Sequence, residues 1–235
     1  MAHYILIHGA WHGAWCWEKI APMLQEKGHT VVTPDLPGHG KDKTPVKSIT
    51  FKHYLECIES HLLAAPQEVI LVGHSMAGMV ISAVAERQSQ KVKRLVYVAG
   101  YLPQDGESLY EIASRLAPSR FVKTMKPDNE KNLFDFPAYA MRNFAYQDYP
   151  DALFARLLPL FCAEPLAPLQ TPVLLTQNFA NIPKDYIECL RDHAISIQTQ
   201  RLMHQATPCR VFSIDCDHSP FYTAPGALVD LLLHA

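Results

Sequence analysis

No apolar run in the 235-residue sequence approaches the roughly 18 residues needed to cross a bilayer. The first residues carry neither the basic nor the apolar region of a signal peptide. These absences predict a cytoplasmic protein without a membrane partner. Lysine and arginine number 21 against 23 acidic residues, giving a formal net charge of −2, and the cations form no cluster. Nucleic acid is therefore not expected as a partner. The six cysteines, Cys16, Cys57, Cys162, Cys189, Cys209 and Cys216, include no Cys-x-x-Cys pair, and no spacing of His, Cys, Asp and Glu resembles a zinc centre. They read as free, mostly buried thiols, and no metal is expected.

What is present is a stretch, Gly73-His74-Ser75-Met76-Ala77-Gly78, directly after the apolar run Val69-Ile70-Leu71-Val72. A strand that turns sharply into a helix with serine at the apex is the nucleophile elbow of serine hydrolases. Such a turn needs small residues two positions before and two after the serine, here Gly73 and Ala77. Alanine replaces the second glycine of the usual pattern, with Gly78 next to it.

Hydrolases built on this turn present serine, then acid, then histidine along the chain. Of twelve histidines, His218 follows the last strand-like run, 210–214, and precedes a terminal helix over 224–234. His204, in an expected helix over 197–205, and His193 are its competitors. The acid should follow the preceding strand, 185–190, and Asp192 is the first acidic residue beyond it. Its task would be to accept a hydrogen bond from the imidazole and fix the tautomer. Asp217, Asp215 and Glu188 are weaker candidates, and Asp192 could instead cap the helix that follows.

Near the amino end a short strand, 4–7, runs into His8-Gly9-Ala10-Trp11-His12-Gly13. Such a loop supplies half of an oxyanion hole, so the backbone N–H groups of Ala10 and Met76 are the expected donors. A phosphate-binding loop is the rival, but no Gly-Lys-Ser/Thr ending and no Gly-x-Gly-x-x-Gly spacing follows.

The length suits one α/β domain. Strands expected at 4–7, 30–33, 69–72 and 94–98 alternate with helices at 15–27, 51–64 and 76–88, which predicts βαβ units and a parallel sheet. The alternation breaks after Gly100. Residues 103–183 hold ten of the eighteen prolines and many aromatics, among them Phe121, Phe134, Phe136, Tyr139, Phe144, Tyr146, Tyr149, Phe154 and Phe161. An insertion there would form a cap over the carboxyl edge of the sheet. Residues 1–102 and 184–235 would form the core. The aromatics suit either an apolar substrate pocket or the cap's own packing.

Together these stretches resemble the α/β-hydrolase superfamily, and within it the methylesterase and hydroxynitrile lyase group, which includes plant hormone methylesterases and bacterial pyrethroid-type carboxylesterases. The resemblance rests on 4–15, 33–40, 69–79, 95–103, 185–195 and 217–221. It implies a six-stranded, mostly parallel sheet flanked by helices, with a helical cap inserted after the fourth strand. It also implies a triad of Ser75, Asp192 and His218, oxyanion donors at Ala10 and Met76, and substrate contacts at Gly9, Trp11, Tyr101 and Phe221. Lyases of the group have threonine in the oxyanion loop and lysine after the catalytic histidine, where this chain has Gly9 and Ser219. The expected function is therefore a serine carboxylesterase that hydrolyses small, uncharged, aromatic or lipophilic esters through an acyl-enzyme, without a cofactor. The alternatives are a lyase, lactonase or thioesterase on the same scaffold, or a ligand-binding protein without catalysis. The resemblance also raises a homodimer.

Overall fold

The structure is a computed structural model that describes residues 1–116, 123–124, 126–135 and 138–234. In chain order its strands are β1 (His3–Ile7), β2 (Thr30–Val32), β3 (Val69–His74), β4 (Val92–Val98), β5 (Pro127–Asp128), β6 (Leu133–Phe134), β7 (Glu164–Pro165), β8 (Lys184–Cys189) and β9 (Arg210–Ile214). Six of them form the main sheet in the order β2-β1-β3-β4-β8-β9. Every pairing in it is parallel. The central strands are buried on both faces, which explains their unbroken apolar runs.

The strand order fixes where a ligand can bind. The chain moves outward from β1 to β2, then reverses past β1 to β3. Right-handed crossovers place the helices of these two steps on opposite faces of the sheet. The loops after β1 and β3 therefore part at the carboxyl edge and leave a crevice, the usual ligand position in open α/β sheets. Helix α1 (Ile20–Glu26) packs against the C-terminal helix Pro225–Leu233, while α2 (Phe51–Ala64) packs against α3 (Ala77–Arg87). In α2 the buried Phe51, Tyr54, Leu55, Ile58 and Leu62 recur at three- and four-residue spacing, the pattern of a one-sided helix.

Two expectations need correction. The helix expected over 15–27 is split into a 3-10 turn, Ala14–Trp17, and α1. Pro22 has no N–H to offer the Glu18 carbonyl, so the α-helix cannot extend back through that turn. The insertion after β4 is also not purely helical, because β5, β6 and β7 form a small antiparallel sheet within it. Two-residue strands leave no periodic signal in a sequence.

Most of the insertion's described aromatics build its own packing. Tyr146 lies 4.5 Å from Tyr149 and 5.4 Å from Phe161, centroid to centroid, with Phe154 at 5.8 Å. Tyr139 is exposed and Phe144 is half-buried. Phe134 faces the pocket described below. Phe121 and Phe136 lie outside the described residues. All six cysteines are free, with Cys16, Cys189 and Cys216 buried and the others half-buried. Among the described residues no helix is long and apolar enough to cross a membrane, and no group of side chains could hold a metal ion.

Candidate active site

Ser75 stands at the apex between β3 and α3 with φ of +53°, a left-handed conformation that non-glycine residues adopt at a cost. The turn is held by the Ser75 N–H, which donates to Val98 O at 3.2 Å, and by the Tyr101 N–H, which donates to Ser75 O at 2.9 Å. A side chain at residue 73 would come within 2.8 Å of the Ala77 carbonyl oxygen. One at residue 78 would come within 2.1 Å of the Tyr101 oxygen. The demand for glycine on the helical side therefore falls on Gly78, which is why Ala77 is accommodated.

The His218 ring donates from Nδ1 to Asp192 Oδ2 at 2.7 Å, and both side chains are buried. This bond fixes the tautomer that leaves Nε2 free to accept a proton. The other carboxylate oxygen of Asp192 accepts the N–H groups of Ala194 at 2.7 Å and Ile195 at 2.8 Å. The helix Ile197–Gln205 is capped instead by Ser196, whose hydroxyl accepts the Thr199 N–H at 3.2 Å. Residue 218 is tied to the elbow through His74, whose Nε2 donates to the His218 carbonyl at 2.9 Å. The two rings lie 4.7 Å apart. Among the described residues the Ser75 hydroxyl makes no hydrogen bond.

The competing residues are engaged elsewhere. His204 and Arg201 donate to Glu188, as does the Ser213 hydroxyl. Asp215 pairs with Arg191 at the surface, and His193 is exposed. Asp217 accepts the N–H groups of Asp148 and Ser219, and burial together with nearby Asp148 pushes its carboxyl up to about 7.

The loop after β1 is held from several sides. Gly9 O accepts the His8 Nδ1–H at 2.8 Å and the His12 N–H at 3.4 Å. His12 donates from Nδ1 to Ala10 O at 2.6 Å and accepts the Tyr146 hydroxyl at Nε2, 2.5 Å away. Burial favours the neutral forms of His8, His12 and His74, with His12 pushed down to about 3. Trp11, at φ of +64°, donates its N–H to Glu164 Oε2 at 3.0 Å. No backbone oxygen among the described residues accepts the N–H of Ala10 or Met76. A Cβ on Gly9 would approach within 2.9 Å of both Ser75 Cβ and His74 Nδ1.

Ser75, Ala10, Trp11, Met76 and Tyr101 border a pocket whose empty space, together with the solvent at its mouth, is about 740 Å³. Its other walls include Leu109, Tyr110, Ala113, Phe134 and Leu169 from the insertion, and Ala194 and Ile195 from the Asp192 loop. Among the described residues no charged side chain lines it.

A family model described as the alpha/beta hydrolase family matches residues 4–231. The chain belongs to the α/β-hydrolase family. Methylesterase 9 of Arabidopsis thaliana is 30% identical over 252 residues, spanning 99% of this chain and 97% of the relative. The carbendazim hydrolyzing esterase of Nocardioides sp. (strain SG-4G) is 39% identical over 123 residues, 50% of each chain. Among solved structures, a pyrethroid hydrolase from Sphingobium faniae JZ-2 superposes with a TM-score of 0.89 at 27% identity, covering 99% of this chain and 96% of that one. These likenesses put this α/β hydrolase in the methylesterase-like group, and it is an ester-hydrolysing enzyme.

Of the substrate contacts expected in this α/β hydrolase, Trp11 and Tyr101 border the pocket, and Gly9 abuts Ser75. Phe221 does not border it. Its ring is fully buried, 4.8 Å from both Trp17 and His74, because the turn after His218 points it into the core. Sequence reasoning missed Gln200, whose Nε2 donates to Asp192 Oδ2 and to Ile195 O. An amide on the same buried stripe as Thr199 and Met203 was the available signal. Glu164, in a segment without periodicity, offered none.

Proposed function

We propose that the protein is a serine carboxylesterase that acts on small, uncharged, aromatic or lipophilic esters through an acyl-enzyme on Ser75. The observation that carries this reading is the company Ser75 keeps. It opens, on a left-handed apex, into an uncharged pocket that is also bordered by Ala10 and Met76 with their unclaimed N–H groups.

In this reading His218, oriented by Asp192, removes the Ser75 proton as the hydroxyl oxygen attacks the ester carbonyl. The Ala10 and Met76 N–H groups hold the oxyanion, each contributing about 3 kcal/mol to the barrier reduction. Collapse of the tetrahedral intermediate breaks the bond to the alcohol, which leaves with the proton carried by His218. Water then attacks the acyl-enzyme with His218 as base and frees the acid. Each step uses side chains and backbone groups of this chain, and none calls on a cofactor.

The test is turnover of p-nitrophenyl acetate by the wild type and by Ser75→Ala, with a fluorophosphonate probe located by mass spectrometry. Wild-type turnover, probe attachment at Ser75 and loss of both in the variant are expected. Cyanide release from mandelonitrile without ester turnover would replace this reading with the lyase. Binding of small aromatic acids with no turnover would replace it with a binding protein.

A further inference from the structure

Glu164 is fully buried, and its carboxylate collects three donors from distant parts of the chain. Oε2 accepts the Trp11 N–H at 3.0 Å and His39 Nε2–H at 2.9 Å, while Oε1 accepts the Tyr54 hydroxyl at 2.9 Å. Removing a carboxylate from water costs several kcal/mol unless partners compensate, and an apolar residue of similar size commonly serves stability as well. The arrangement is therefore better explained by what it positions than by what it adds to the fold.

What it positions is the loop after β1. The peptide between Ala10 and Trp11 is pinned at both ends, its oxygen by His12 and its N–H by Glu164. The preceding peptide, which carries the Ala10 N–H, is pinned at its oxygen by His8 and by the His12 N–H. Trp11 adopts φ of +64°, a conformation costing a bulky residue about 1–2 kcal/mol unless its surroundings hold it there. Those surroundings come from the insertion. Besides Glu164, the Cys162 N–H donates to Trp11 O at 3.1 Å, and the indole Nε1–H donates to Phe134 O at 3.2 Å. Phe134 and Glu164 are register partners on β6 and β7, so the small antiparallel sheet grips Trp11 through adjacent strands.

We propose that Glu164 is a positioning residue for ester hydrolysis, its carboxylate holding Trp11 in the left-handed conformation that aims the Ala10 N–H at the reacting carbonyl. The inference rests on the esterase reading and extends it by giving the insertion a role in transition-state stabilisation as well as in enclosing substrate. His39 supports the carboxylate. Burial alone would lower its pKa, but the attraction and hydrogen bond of Glu164 outweigh this and raise it.

The test compares wild type, Glu164→Leu, Glu164→Gln and Glu59→Leu, the last removing a mostly buried carboxylate paired with Arg87 far from the pocket. Turnover of p-nitrophenyl acetate is normalised to sites titrated with fluorophosphonate. Inhibition is measured with a trifluoromethyl ketone, which forms an oxyanion adduct with serine, and with the methyl ketone of the same skeleton. Glu164→Leu should lower kcat about 10- to 100-fold with KM changed less than about threefold. Affinity for the trifluoromethyl ketone should fall in step with kcat, and affinity for the methyl ketone should hold. Glu164→Gln, which keeps an oxygen for the Trp11 N–H, should recover most of the rate, and Glu59→Leu should leave site-normalised kcat unchanged.

Wild-type kcat in folded Glu164→Leu, or equal weakening of both ketones, would overturn the proposal while leaving the esterase reading intact. If the leucine variant does not fold, Glu164→Asp decides. Its shorter carboxylate should withdraw from the Trp11 N–H and lower kcat where Gln does not, and equal rates for Asp and Gln would overturn the proposal. A wild type that turns over no ester would sink both readings together.

Discussion

Gln200 donates through Nε2 to Asp192 Oδ2 at 3.1 Å, so the carboxylate oxygen that receives His218 is braced from a second direction. Its amide oxygen also accepts the Cys189 N–H at 3.1 Å, locking Gln200 in place. Loss of a hydrogen bond to a charged group costs about 1.5–3 kcal/mol. Gln200→Leu should therefore lower kcat by about 10- to 100-fold, measured per titrated site. Asp192→Asn, which favours the wrong imidazole tautomer, should cost about 10,000-fold.

The elbow makes a prediction about stability. Gly78→Ala would force a methyl group onto the Tyr101 carbonyl, a backbone atom that cannot swing aside. A loss of about 3 kcal/mol or more is expected, lowering Tm by about 6–12 °C. Ala77→Gly would supply the glycine usual at that position and should cost only about 1 kcal/mol. Thermal melts of the two variants check the contrast, and equal melts would refute it.

Gly9→Ala tests the crowding beneath the loop after β1. The added methyl would press on Ser75 Cβ and His74 Nδ1, both 2.9 Å away. Relieving this contact displaces the loop against the hydrogen bonds that hold it, and the Ala10 N–H moves with it. Site-normalised kcat should fall by about 10- to 1,000-fold, and overpacking of about 1–3 kcal/mol should lower the melting temperature by about 2–12 °C.

Asp217 gives a pH dependence. Burial pushes its carboxyl in the folded protein up from the usual carboxylate range to about 7. A raised pKa means that the native state binds the proton more tightly, so this stabilising contribution is complete below about pH 4 and is lost as pH rises through about 7. Asp217→Asn removes the titration. The Tm of the variant relative to wild type should therefore rise between pH 5 and pH 8, and a flat difference would refute the shift.

Much of this was legible in the sequence because it is written locally. The helix at 197–205 and the strand at 210–214 lie where their patterns put them. The turn at Ser75 and the loop position of His218 follow from short motifs in a fixed chain order. The departures come from interactions that no local pattern encodes. Glu164 reaches Trp11 across 153 positions, and Tyr146 reaches His12 across 134. The ring of Phe221, placed near substrate by the resemblance alone, packs on Trp17 and His74.

The uncharged lining of the pocket also bears on how a catalytic cycle ends. In the proposed reaction a neutral ester becomes an anion, and among the described residues no charged side chain lines the pocket to pair with it. The Ala10 and Met76 N–H groups can solvate one oxygen of that anion, but with no charged partner its desolvation is only partly offset, so water outside the pocket competes for it. The acid is thus expelled by the very charge that the reaction gives it, and accumulated acid should slow the enzyme far less than an uncharged mimic of the starting ester.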